Sequence, residues 1–121
     1  DIIFFENLIN WNQPVVLCEG VFDAIAIKRN AIPILGKTLS NTLIKKVIAS
    51  TNKDIYIALD TDARSKALEI SEHLLSLGKR VFLVELTDKD PSDMGFEQFT
   101  KLVQTAKELD LSTLMMHKLE L

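Results

Sequence analysis

Short, almost continuous runs of apolar residues recur along the chain and predict β-strands that are covered on both faces. These runs are residues 15–18, 32–35, 55–59 and 81–84. Apolar residues that do not alternate with polar ones are typical of parallel sheets, because helices cover both faces of such sheets. The pattern therefore predicts a parallel sheet of about four strands.

Segments between and after these strands have the spacing of amphipathic helices, with apolar residues three or four positions apart. Their apolar faces are Leu43, Ile44, Val47 and Ile48; Ala63, Ala67, Ile70 and Leu74; and Phe96, Phe99, Val103 and Ala106. Gly78 is expected to end the second of these helices as a C-cap residue. The alternation of strand and helix predicts an α/β fold, a doubly wound, Rossmann-like parallel sheet with right-handed crossovers and helices on both faces.

The length and composition predict one compact domain. The chain has 121 residues, of which 47% are hydrophobic, enough for a single core. We expect the core at about 14–105 and a peripheral C-terminal helix at 106–121. Because the sequence starts at Asp1 without methionine, we interpret it as a fragment of a larger protein. The apolar runs are too short to cross a membrane, and the single cysteine, Cys18, suits a cytoplasmic location without disulfides.

Acidic residues follow three of the predicted strands at their carboxyl ends. Glu19 follows the first strand, Asp60 and Asp62 follow the third, and Asp88, Asp90 and Asp93 follow the fourth. If the second strand lies outside the first, the first and third strands are neighbours, and Glu19 faces Asp60 at the switch point where ligands bind. Clustered carboxylates repel one another unless a cation neutralises them, and their hard oxygens select Mg²⁺ or Mn²⁺.

Each of these acids also has a purely structural interpretation. Asp62 suits the N-cap of the following helix, and Ser92 or Asp93 suits the cap of a helix that starts near Phe96. Glu19 is also compatible with stabilisation by the dipole of a helix that begins after it. The sequence leaves these alternatives open.

Four short motifs resemble the TOPRIM domain of bacterial primases and phage primase-helicases. They read EGVFD at 19–23, LGKTLS at 35–40, LDTD at 59–62 and KDP at 89–91, and the resemblance covers about 14–105. The chain departs from the family at Arg64 and Ser65, where primases commonly have alanine and glycine. It also departs at Ser92, where a second acid often follows the proline.

The resemblance implies a role for each matching position. Glu19 would be the general acid or base; Asp60, Asp62 and Asp90 would hold Mg²⁺ or Mn²⁺; Asp23 and Asp93 would support them; and Lys37, Arg64 and Lys89 would contact phosphate or nucleic acid. The implied activity is that of a DNA primase, a nucleotidyltransferase that makes RNA primers in DNA replication. The implied partners are a single-stranded DNA template and nucleoside triphosphates, reached through neighbouring domains, and a helicase domain or partner.

The charge of the chain bears on these partners. A net charge of −3 is unlike the strongly basic surface of a protein that grips phosphate backbones by itself. Metal ions or adjoining domains would therefore supply much of the positive charge. The basic residues are spread along the chain, a distribution that also fits an ordinary solvated surface.

Other functions fit parts of the pattern. A TOPRIM nuclease needs only the metal and water, whereas a topoisomerase needs a tyrosine nucleophile, and Tyr56 lies in a strand predicted to be buried. A non-catalytic, receiver-like regulatory module would use Asp60 as a phosphate acceptor, but such folds have a fifth strand. The GKT at 36–38 matches the end of a phosphate loop, yet Ala31 stands where that loop requires glycine.

Overall fold

The computed structural model describes residues 9–20, 23, 30–34, 41–50, 53–59, 63–84, 86 and 91–120, with the side chains of 41, 42 and 91–96 outside that description. Its elements run in the order β1 (Val15–Cys18), β2 (Ala31–Pro33), α1 (Asn41–Ala49), β3 (Asp54–Ala58), α2 (Arg64–Ser76), β4 (Arg80–Leu83), α3 (Pro91–Gln104), β5 (Lys107–Leu109) and α4 (Leu111–Leu119).

The strands form one sheet with the order β2-β1-β3-β4-β5. The pairs β1–β2, β1–β3 and β3–β4 are parallel, whereas β5 pairs antiparallel with β4. The predicted parallel α/β architecture is confirmed, and β2 lies outside β1 as the site prediction required. The estimate of about four strands is corrected to five within the described part of the chain.

The inner strands bury both of their faces, which explains their continuous apolar sequences. Val15 and Leu17 of β1 point to one core, which includes apolar residues of α1 and α2. Val16 and Cys18 point to the opposite core, which includes Phe99 of α3. Because successive side chains of a strand face opposite sides, helices on both faces leave no position in β1 for a polar residue.

Gly78 terminates α2, as the sequence predicts. Gly78 has a φ of +83°, in the left-handed region that glycine adopts without a steric penalty. Its N–H donates to the Leu75 carbonyl over 3.1 Å, and the Lys79 N–H donates to the Leu74 carbonyl over 3.2 Å. This pair of hydrogen bonds is the Schellman motif, which turns the chain from α2 into β4.

The starts of α2 and α3 correct two capping interpretations. The N-cap of α2 is Ala63, which makes no side-chain cap hydrogen bond, so the cap position does not fall on Asp62. Helix α3 begins at Pro91, earlier than the sequence indicated, because proline at the first helical position has no N–H to leave unpaired. Ser92 and Asp93 therefore belong to the first turn of α3 and do not precede it.

The C-terminal segment adds a strand and a helix to the domain. Residues 107–109 pair with β4, so the helix predicted over 106–121 starts only at Leu111. Leu114 is buried at 1% exposure, and the Lys118 ammonium contacts the Glu72 carboxylate of α2. Across the described residues, the helices are all too short or too polar to cross a membrane.

Asp110 caps α4 and gives the protein an acid-sensitive contact. Its carboxylate accepts the Thr113 N–H over 2.7 Å, and hydrogen bonds from the Thr113 side chain and backbone lower the pKa of Asp110. The unfolded pKa is about 3.9. The contribution to stability is therefore complete above the unfolded pKa and is lost as the pH falls through the lowered folded pKa.

We expect Asp110→Ala to lower the thermal unfolding midpoint at neutral pH, because the substitution removes the cap acceptor. The difference from the wild type should narrow as the pH falls below the unfolded pKa of about 3.9 and through the lowered folded pKa. Asp110→Asn, which keeps a cap acceptor but does not titrate, is the matched control. A difference that stays constant with pH would show that the charge of Asp110 does not stabilise α4.

Candidate functional site

The neighbouring carboxyl ends of β1 and β3 form the centre of the candidate site. The two strands are in register from Val15 opposite Ile55 to Cys18 opposite Ala58. The strand order departs from the chain order here, because β2 lies on the far side of β1. This is the switch point at which open α/β sheets bind ligands, and Glu19 is the first residue beyond β1.

The Glu19 side chain has two different environments for its two oxygens. Oε1 lies 3.6 Å from Nζ of Lys66 on α2, and the Glu19 and Lys66 side chains are 35% and 22% exposed. Oε2 is buried and has no hydrogen-bond partner among the described residues. A buried acceptor without a partner is unfavourable by about 1–3 kcal/mol, and more when it is charged, so this oxygen is suited to a proton or a cation.

Asp23 holds the turn that follows β1. It is in helical conformation and only 9% exposed, and its Oδ2 accepts the Gly20 N–H over 3.2 Å. This contact fixes the backbone next to Glu19. The hydrogen bond also holds the Asp23 carboxylate within the turn, and its supporting role stays a prediction.

The pKa of Cys18 depends on burial and on the charges near the end of β1. Burial, together with the negative charges of Asp23 and Glu19, raises the pKa of the Cys18 thiol to about 12. The thiol is therefore neutral at physiological pH, and Cys18 is a small core residue. The same negative charges that oppose a thiolate attract a cation to this end of the sheet.

Arg64 is the first residue of α2 and faces α4. Its Nη2 donates to Nδ1 of His117 over 2.5 Å and lies 3.4 Å from Oε2 of Glu120. Because a guanidinium group only donates hydrogen bonds, Nδ1 of His117 is the acceptor. Nε of Arg64 is buried without a hydrogen-bond partner among the described residues.

Several predicted site residues lie outside the part of the chain that the structure describes: Lys37, Asp60, Asp62, Lys89 and Asp90, together with the side chain of Asp93. Among the described residues, no group of three His, Cys, Asp or Glu side chains could hold a metal ion. The described Glu19 and Asp23 nevertheless provide the hard oxygen atoms that Mg²⁺ and Mn²⁺ prefer. The bare Oε2 of Glu19 also fits a neighbouring cation.

The sequence interpretation missed two residues, Lys66 and His117, which contact predicted site residues. Neither residue belongs to one of the motifs at 19–23, 35–40, 59–62 and 89–91. One signal was present, because Arg64 and Lys66 bring two positive charges to the first turn of α2, which has no acidic residue. The helix dipole disfavours positive charge at that end, so such a turn indicates partners elsewhere in the fold.

Comparisons with known proteins agree with this architecture. A family model described as Toprim-like matches residues 16–95. The crystal structure of the Aquifex aeolicus primase, containing its zinc-binding and RNA polymerase domains, is similar with a TM-score of 0.67 and 28% sequence identity. That match covers 79% of this chain and 26% of the primase chain.

An uncharacterized protein of Mycoplasma genitalium is 28% identical over 97 residues. The match covers 74% of this chain and 44% of that protein. This chain therefore spans less than half of the Mycoplasma protein and about a quarter of the primase chain.

Proposed function

Because the chain belongs to the Toprim-like family, we propose that it is the metal-dependent nucleotidyl-transfer domain of a DNA primase. The activity is RNA primer synthesis on single-stranded DNA during replication, in the cytoplasm. The observation that carries the proposal is the Glu19 carboxylate at the switch point between β1 and β3, with Oε2 buried and without a hydrogen-bond partner. The similarity to the Aquifex aeolicus primase supports the choice of reaction.

A divalent cation, Mg²⁺ or Mn²⁺, is part of the proposal. Asp60, Asp62 and Asp90 would hold it, since they follow β3 and β4 in the sequence and provide carboxylate oxygens. When bound, the ion supplies positive charge that stabilises the negative charge on the phosphoryl group under transfer. The negative field that acts on Cys18 favours a cation near Glu19.

Glu19 carries the proton chemistry in this proposal. Its Oε2 has no competing donor among the described residues, so it is available to accept a proton from the attacking hydroxyl group of the growing primer. Lys66 holds Oε1, and the hydrogen bond between Asp23 and Gly20 fixes the turn. Asp93 is a further supporting residue.

Lys37, Arg64 and Lys89 are the proposed contacts to phosphate or nucleic acid. The described contacts of Arg64 are with His117 and Glu120 of the C-terminal segment. A contact between Arg64 and a phosphate would therefore either replace these contacts or add to them. The single-stranded template and the nucleoside triphosphates bind through neighbouring domains as well, and a helicase domain or partner would deliver the template.

The proposed metal site is tested by titration of the protein with Mg²⁺ or Mn²⁺, followed by calorimetry. The wild type should bind at millimolar concentration, and the Asp60→Asn, Asp62→Asn double variant should lose this binding because two charged ligands become neutral. The control is a Glu97→Gln, Glu108→Gln double variant, which removes the same charge from exposed positions on α3 and β5.

Two results would contradict the metal site: a wild type without a metal-dependent signal, or an Asp60, Asp62 variant that binds as tightly as the wild type. The reaction is then identified with labelled single-stranded DNA and nucleoside triphosphates. Synthesis of labelled RNA supports the primase, whereas metal-dependent cleavage of the DNA would replace it with the nuclease.

A further inference from the structure

Lys66 lies at a position in α2 that is electrostatically unfavourable for a positive charge. It is the third residue of the helix, and Arg64 is the first, so two cations stand where the helix dipole favours anions. Its side chain is mostly buried, which removes part of the hydration of the ammonium group. Violations of a local rule concentrate at functional sites, and a compensating partner is expected.

The partner is Glu19. Nζ of Lys66 lies 3.6 Å from Oε1 of Glu19, and this ion pair is the contact that the structure provides for Nζ within the described part of the chain. It joins the first turn of α2 to the end of β1. The ion pair leaves the second oxygen of the same carboxylate bare, so Lys66 neutralises Glu19 without occupying Oε2.

We propose that Lys66 is a built-in counter-cation, which balances and positions Glu19 in the metal-free protein and opposes the binding of a divalent cation at this end of the sheet. The inference rests on the proposed function, because it concerns the cation of the same site. The ammonium group of Lys66 and a divalent cation would compete for the negative charge of the Glu19 carboxylate. Loss of Lys66 should therefore weaken the metal-free fold and tighten metal binding.

Lys66→Met tests both effects, since methionine keeps the length of the side chain and removes the charge. In a chelator, the variant should have a lower thermal unfolding midpoint than the wild type, and added Mn²⁺ should raise that midpoint more than it raises the wild type's. Calorimetry should show Mn²⁺ binding about 10-fold tighter, the size expected when one unit charge is removed within several ångströms of a divalent ion. Lys66→Arg should behave as the wild type.

The matched control is Lys45→Met, which removes an exposed charge from α1 and should leave Mn²⁺ affinity within about 2-fold of the wild type. In a Glu19→Gln background, the stability loss caused by Lys66→Met should largely disappear, because the partner charge is gone. If Lys66→Met does not fold, Lys66→Gln repeats the measurements with a polar side chain at this partly buried position.

The outcomes separate this inference from the proposed function. If the wild type binds Mn²⁺ and Lys66→Met binds it with equal affinity, the counter-cation role is wrong while the metal site stands. A stability loss that is the same with Glu19 and with Gln at that position also overturns it. If neither the wild type nor Lys66→Met binds Mn²⁺, the proposed function fails, and the inference that rests on it fails too.

Discussion

Glu19→Gln should lower the rate of primer synthesis by the full-length protein by a factor of about 10²–10⁴, the usual contribution of a general acid or base. The amide keeps the size of the side chain but cannot accept a proton at Oε2, which is the buried oxygen without a partner in the described structure. The rate is measured as incorporation of labelled nucleotide on single-stranded DNA. Saturating Mg²⁺ is used so that a change in metal affinity does not alter the measured rate.

The control for Glu19→Gln is Glu97→Gln, which makes the same chemical change at an exposed position of α3. Its rate should match that of the wild type. The unfolding midpoint of Glu19→Gln is measured alongside, since the ion pair with Lys66 is also weakened. A folded Glu19→Gln protein that retains full activity would exclude Glu19 as the proton-transfer group.

Phe99→Ala should lower the free energy of unfolding by about 3–5 kcal/mol, the range for removing a buried phenylalanine side chain. Phe99 of α3 is 0% exposed and packs with Val16 and Cys18 of β1 in the core on one face of the sheet. Domains have a total stability of about 5–15 kcal/mol. The expected loss is therefore a large share of the total free energy of unfolding, and the variant should unfold at a much lower urea concentration than the wild type.

Gln98→Ala is the matched control for Phe99→Ala, because Gln98 is exposed and precedes Phe99 in the same helix. Its free energy of unfolding should stay within about 0.5 kcal/mol of the wild type. A loss below about 1 kcal/mol for Phe99→Ala would contradict the packing of α3 against the sheet.

The inner strands could be predicted from the sequence because burial on both faces leaves a continuous apolar pattern. The run 15–18 coincides with β1, whose residues line both cores. The run 55–59 differs from β3 by one residue at each end, since Asp54 pairs with Arg80 of β4 although its side chain is polar. An apolar run therefore indicates which residues are buried, whereas the backbone pairing of a strand can also include polar residues at its ends.

Strand β5 could not be predicted in the same way. It has three residues, and Lys107 and Glu108 are exposed, so no apolar run marks it. Ala106 also continued the helical spacing of Phe99 and Val103, which extended the predicted helix past Gln104, where α3 ends. Short outer strands depend on pairing with a neighbour, and that information is not local to their sequence.

The fifth strand also removes one argument against a receiver-like module, which was the count of about four strands. Although β5 pairs antiparallel with β4, the order β2-β1-β3-β4-β5 is shared with flavodoxin-like folds, so strand number and order by themselves do not separate the two classes. The match of residues 16–95 to the Toprim-like family does.

In the candidate site, too, some features could be predicted from nearby residues, whereas others depend on contacts between distant parts of the chain. The position of Glu19 at the switch point followed from strand order and the acid directly after β1, and the sheet order confirms that β1 and β3 are neighbours. The contacts of Lys66 with Glu19 and of Arg64 with His117 join residues 47 and 53 positions apart. Long, flexible cationic side chains have many possible partners, so helical spacing alone does not identify the ones they bind.

The outermost strands of the described sheet, β2 and β5, have only three residues each, and β2 ends at Pro33, whose ring nitrogen carries no hydrogen. A strand from another molecule needs a longer row of free amide and carbonyl groups to attach itself. The borders of this sheet are therefore poor templates for fibril growth and for strand exchange between copies.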